Sequence, residues 1–140
     1  MQLSRKADYA LRAIRFLSRL PKGETRSINE ISAGESIPRE FSAKILKDLK
    51  LKGVIDSFQG VKGGYRLSRR PKNITYLQVI EAVDGPIHLN LCTEPNQAYC
   101  NRVGNCALHS FWSKQEALLR RKLTGANFGK YAVKKRSMVD

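Results

Sequence analysis

The run Gly60-Val61-Lys62-Gly63-Gly64 constrains this chain more than any other, because it forces the backbone to turn back on itself. Three glycines in five positions disfavour helix and permit the positive φ angles of a tight reversal. The flanking segments, Val54–Phe58 and Tyr65–Ser68, have strand character. The stretch "VIDSFQGVKGGYRLS" therefore reads as a β-hairpin with a glycine-rich, basic tip.

The segments before the hairpin read as helices. In "SRKADYALRAIRFLSRL", Ala7, Leu11, Ile14, Leu17 and Leu20 recur at helical spacing behind Ser4, a fitting N-cap, and Pro21-Lys22-Gly23 ends the run. Ser27 followed three residues later by Glu30 is a capping-box signature for a short helix with Ile28 and Ile31 on one side and Gly34 as its stop. Pro38 then suits the first position of a third helix, "PREFSAKILKDLKLKG", whose apolar residues are Phe41, Ile45, Leu46 and Leu49 and whose end is Gly53. Its other face shows Arg39, Ser42, Lys44, Lys47 and Lys50. Two short helices, a basic third and a glycine-tipped hairpin, in this order, describe a winged helix-turn-helix over residues 1–72, within a mainly α chain. The third helix is expected to enter a DNA major groove and the hairpin to reach the flanking backbone.

After Pro71, "TYLQVIEAV" reads as a helix beginning at Thr75, so residues 73–107 form a connecting helix and a loop. Residues 108–124 read as a long final helix, and residues 125–140 as a basic, loose tail. There is no internal repeat.

Charge follows the same division. Of a formal net charge of +14, residues 1–72 account for +10, with 17 Lys and Arg against seven Asp and Glu. Residues 73–101 contain no Lys or Arg. Such a cationic first half makes phosphate backbones or anionic membranes its natural partners, and the ordered motif decides for double-stranded DNA. Candidate contacts are Ser27, Pro38, Arg39, Ser42, Lys44 and Lys47 on the helices, with Gln59, Lys62, Gly63 and Tyr65 in the hairpin. Arg39, Ser42 and Lys44 suit base edges, whereas Lys47 and Lys62 suit phosphates. Enzymatic function is not expected: there are two histidines, no nucleophile motif and no GxxxxGK[ST] loop. No apolar run approaches the ~20 residues that span a bilayer, and the charged start lacks the apolar core of a secretion signal. A cytoplasmic protein is expected.

All three cysteines, Cys92, Cys100 and Cys106, fall in the neutral loop. An odd number does not pair off within one chain. Four readings remain open: buried small hydrophobes, a thiol redox switch, a zinc site, or an iron–sulfur cluster site. Structural zinc prefers short C-x2-C pairs, and the C-x7-C-x5-C spacing here is roomier, as wrapping a cluster requires. Three thiolates leave a fourth position, for which His109, three residues after Cys106, is within reach.

The stretches "LSRKADYALRAI", "IPREFSAKILKDLKLKGVIDSFQGVKGGYRLSRRP", "ITYLQVIEAVDGPIHLNLC" and "CALHSFW" together resemble the IscR/NsrR/RirA (Rrf-type) family of bacterial winged-helix transcription regulators, over about residues 1–123. The resemblance implies a homodimer paired through the last helix. It also implies a 2Fe-2S or 4Fe-4S cluster on Cys92, Cys100 and Cys106, with His109 or the partner subunit's Asp8 as fourth ligand. The first cysteine interval is longer than in the histidine-ligated branch and is similar to the iron-responsive one. Gln59 stands where many members carry a minor-groove arginine. The function so implied is a DNA-binding regulator, expected to be a repressor, whose operator affinity follows a cluster sensing iron, redox state or nitric oxide. The alternative is a regulator of the same fold without a cluster, sensing thiol oxidation or a small molecule.

Overall fold

A computed structural model of the chain describes residues 2–95, 100 and 103–133. The first helix, α1 (Arg5–Ser18), is capped by Ser4, whose hydroxyl accepts the Ala7 amide at 3.0 Å. Ala7, Ala10 and Ala13 are all buried on one side of α1, and small residues at this spacing let a neighbouring helix lie close. That neighbour is α4 (Tyr76–Asp84), reached only after the hairpin.

Helix α2 (Ile28–Glu35) opens with the reciprocal capping box anticipated from sequence: Ser27 Oγ accepts from Glu30 N, and Ser27 N–H donates to Glu30 Oε1. The bonds Ser27 gives this carboxylate hold the Glu30 carboxyl below its ordinary range. Gly34 does not end α2. The helix continues to Glu35, and Ser36 provides the left-handed cap, with φ 53°. Gly34 serves packing instead, since a Cβ there would lie 2.3 Å from the Phe16 ring. Buried Glu35 is gripped by Arg15 through Nε at 3.1 Å and Nη2 at 2.6 Å, tying α2 to α1. Helix α3 (Arg39–Leu51) has Pro38 as its N-cap, one residue earlier than its expected place inside the helix. Gly53, at φ 75°, follows its C-cap.

Strands β1 (Ile55–Phe58) and β2 (Gly64–Leu67) pair antiparallel in the register Ile55 to Leu67 and Phe58 to Gly64. Thr75 caps α4 through a second capping box with Gln78. A 3-10 turn over Leu91–Thr93 carries the first cysteine, and α5 (Ala107–Gly125) closes the helical set. One core joins Ile14 and Leu17 of α1, Ile31 of α2, Ile45, Leu46 and Leu49 of α3, Ile55 of β1, and Val79 and Ile80 of α4.

The chain after α5 differs from the loose tail expected from residue 125 onward. Ala126 accepts the Tyr76 amide at 2.9 Å, Asn127 bridges Thr75, and Phe128 is 1% exposed within the core. The Tyr131 hydroxyl lies 3.0 Å from that of Tyr76. The buried Phe128 ring, the backbone bonds to Tyr76, Pro71 and Ile74 and the Tyr131–Tyr76 contact act together to hold this stretch against the core. The rest of the expected tail, residues 134–140, lies outside the described residues. No helix among the described residues is long and apolar enough to cross a membrane.

Candidate nucleic-acid interface and cysteine site

Helix α3 divides its faces sharply. Ile45, Leu46 and Leu49 are buried, while Arg39, Lys44, Lys47 and Lys50 are exposed along the opposite side. Ser42 does not share the exposed face. It is 2% exposed, and its hydroxyl meets Ser32 Oγ at 2.5 Å and the Pro38 carbonyl at 3.4 Å. The expectation that Ser42 touches a base edge is therefore corrected: its one small polar group joins α3 to α2. Pro38 is exposed beside Arg39 at the start of α3. Lys6 joins α3 to α4, its Nζ lying 2.5 Å from Asp48 and donating to the Val83 carbonyl at 2.9 Å. Ser4 Oγ donates to Asp84 nearby, at 2.6 Å. These ties fix the basic helix against the helix that leads to the cysteines.

The hairpin is anchored at its tip. Arg26 and Tyr65 exchange backbone bonds of 3.0 and 2.8 Å, so the loop before α2 pairs with the outer edge of β2. Thr25 Oγ1 donates to the Lys62 carbonyl at 2.7 Å. Gly64 permits this approach: it sits at φ 144°, and a Cβ would lie 2.5 Å from the Arg26 oxygen. Gln59, Val61 and Lys62 are exposed, whereas Gly63 and Tyr65 are partly covered and Tyr65 packs against the core. Ser27 is half-buried and its hydroxyl is engaged as the α2 cap. The Arg66 guanidinium covers the Phe58 ring, 4.2 Å from its centroid. The anchoring by Thr25 and Arg26 escaped sequence reasoning, since no local pattern pairs residues forty positions apart.

The three cysteines are free thiols. Cys92 is buried in the Leu91–Thr93 turn, which Asn90 caps by accepting the Leu91 amide at 2.8 Å. Cys100 is half-buried. Cys106 is the N-cap residue of α5, and its side chain makes no capping bond. Burial pushes the Cys92 thiol above its ordinary range, and nearby negative charge, Glu116 included, adds to the effect.

His109, in the first turn of α5, has Nδ1 buried without a hydrogen-bond partner, while Nε2 lies 3.4 Å from Ser113 Oγ. An orphaned imidazole nitrogen close in sequence to a free thiol is the kind of donor a metal site uses. Asp8, in the first turn of α1, is engaged by Arg12 at 2.7 Å. Among the described residues no three His, Cys, Asp or Glu side chains converge at metal-binding distance, so neither His109 nor Asp8 completes a set within one chain. The donor types fit an iron–sulfur cluster: three free thiols and an imidazole nitrogen without a hydrogen-bond partner.

Helix α5 buries none of its residues. Leu108, Phe111, Leu118 and Leu119 are all exposed, as is Leu91 in the Cys92 turn. At 1.5 Å per residue the helix runs about 28 Å, ample for a partner helix to cover. Its polar side is anchored: Arg120 pairs with Glu81 of α4 at 2.8 Å.

Comparison with known proteins agrees with this geometry. The Rrf2 family, described as an iron-dependent transcriptional regulator, matches residues 3–132. The chain is 32% identical to the HTH-type transcriptional regulator NsrR of Geobacillus kaustophilus over 86% of its own length and 82% of that protein. A Mycobacterium tuberculosis protein named as an HTH-type transcriptional regulator is 33% identical over 62% of this chain, and the match spans about half (54%) of that relative's length. Among solved structures, CymR, the global cysteine regulator of B. subtilis, superposes with a TM-score of 0.74 at 20% identity, over 95% of this chain and 99% of that one. IscR of T. potens gives 0.73 at 19% identity, over 91% and 83%. These two show that the fold is a winged-helix regulator fold, as the order of helices and hairpin implied. The resemblance read from the sequence is borne out: the chain belongs to the Rrf2 family of transcriptional regulators.

Proposed function

We propose that the protein is a homodimeric, operator-binding repressor whose grip on DNA is set by an iron–sulfur cluster. The observation that carries this reading is the position of the thiols. Cys92 follows α4, which Lys6 ties to the basic helix, and Cys106 begins α5, whose apolar face stands exposed. Whatever binds the three sulfurs thus sits between the DNA-reading head and the surface available to a second copy. Cys92, Cys100 and Cys106 would hold the cluster, and His109 or the partner subunit's Asp8 would supply the remaining donor. When bound, the group supplies a link whose presence depends on iron supply, oxidants or nitric oxide. Arg39, Lys44 and Lys47 would read the major groove, and Gln59, Lys62 and the hairpin main chain would meet the flanking backbone. Half-sites about one helical turn apart require a set spacing of the two heads, and a coupling of ~1–3 kcal/mol through the cysteine loop suffices to change affinity.

Three free thiols within one fifteen-residue segment also favour a second reading, in which oxidation of a thiol pair replaces the cluster. A solved structure of oxidised Staphylococcus aureus CymR has a similar fold. Anaerobic purification and reconstitution separate the two. Visible absorption with stoichiometric iron and acid-labile sulfide, lost in Cys100→Ala, is the outcome expected. A colourless protein that takes up neither overturns the cluster reading.

A further inference from the structure

Glu116 lies near the middle of α5 with its side chain only 14% exposed, and one carboxylate oxygen collects several partners. Glu116 Oε1 accepts the Leu89 amide at 3.0 Å, shares the single Thr93 hydroxyl proton, at 2.8 Å, with the Asn90 carbonyl at 2.7 Å, and stands 3.3 Å from His88 Nδ1. These groups bracket the turn that carries Cys92. One helical turn further along α5, Arg120 holds Glu81 of α4, and Glu81 accepts the Ile87 amide at 3.0 Å. Two carboxylates, one from each helix, therefore fasten the segment between α4 and Cys92 at Ile87 and Leu89. A negative charge beside sulfurs that ligate as thiolates disfavours ligation, so the value of an acid here lies in its acceptor oxygen.

We infer that Glu116 is a positioning residue that seats the Cys92 turn on α5, so that a change in the cysteine loop is delivered to that helix. The seat is a property of the chain itself; its regulatory meaning rests on the cysteine-loop reading given above. Because Leu89 and Thr93 bond to a single oxygen, a glutamine carbonyl in the same place preserves both bonds, whereas alanine removes them.

Hydrogen exchange of the full-length, metal-free protein reads this directly. Hydrogen bonds to a carboxylate contribute enough that E116A is expected to speed exchange at Leu89 about tenfold or more, while E116Q stays within about twofold of wild type. Thr93→Val removes one donor, leaves α5 intact and is expected to give a smaller increase, which keeps the test usable if E116A does not fold. Exchange at Leu89 unchanged in both E116A and T93V, or E116Q as fast as E116A, overturns the seat. In the anaerobically reconstituted protein, E116A is expected to release iron to a chelator faster than wild type by a similar factor, with E116Q restoring the wild-type rate. Equal release rates in E116A and wild type overturn its link to the cysteines. Should wild type take up no iron and sulfide, the cluster reading fails, and the exchange experiment still decides whether the seat exists.

Discussion

Lys62 stands at the hairpin tip with its carbonyl held by Thr25 and its side chain exposed. If it meets a phosphate, Lys62→Ala lowers the slope of log affinity against log salt by about one and leaves folding unchanged. Fluorescence anisotropy at several salt concentrations measures this, and an unchanged slope removes Lys62 from the interface. Its exposure was legible in the sequence because a charged residue among glycines has no other place to go. Ser42 was not. On a helical wheel it falls beside basic residues, but its burial depends on Ser32, a partner on another helix that no local period reveals. His109 shows the same limit: its identity as a possible donor was readable, whereas its unpartnered nitrogen is a property of packing.

Beyond the shared apolar core, the elements of this molecule are joined by a few polar ties and one returning aromatic segment. Phe128 lies against Tyr76, with ring centroids 4.8 Å apart, and is almost wholly buried. Phe128→Ala should cost about 3–5 kcal/mol, read as a lowered thermal midpoint. A loss below 1 kcal/mol would show that the segment after α5 contributes little. The α4–α5 tie has a pH signature. Burial alone would raise the Glu81 carboxyl, but the hydrogen bonds from Arg120 and the Ile87 amide outweigh it, and the net shift is downward from 4.5. Its contribution to stability is therefore complete above pH 4.5 and is lost as pH falls through the depressed value. Glu81→Gln is expected to shallow the fall in stability over that acidic window. Acid unfolding curves of equal steepness would contradict it. The helices and hairpin were legible because their caps and periods are local signals. The docked segment was not, because Gly125, Gly129 and Lys130 read as loose, although Phe128 and Tyr131 three residues apart hinted at a packed turn.

At the scale of the whole molecule, the proposed homodimer would place a second copy over the exposed row on α5. Leu118→Glu places a charge in a position that is half exposed in one chain and is expected to shift sedimentation from dimer to monomer while the isolated fold survives. An unchanged dimer would move the interface elsewhere. The division into a basic head and a neutral, thiol-bearing segment was written in the charge pattern. How the segment before Cys92 is held depends on Glu81 of α4 and Glu116 of α5 together, which no stretch of sequence carries alone. The central claim is that the state of those sulfurs governs DNA binding. The most direct measurement is the affinity of one anaerobically reconstituted sample for its best fragment from a random-sequence DNA pool, before and after iron is stripped by a chelator. The account predicts a change of at least about fivefold, the lower end of ordinary coupling between sites. Equal affinity in the two forms, from a sample shown to have held and lost iron, would contradict it.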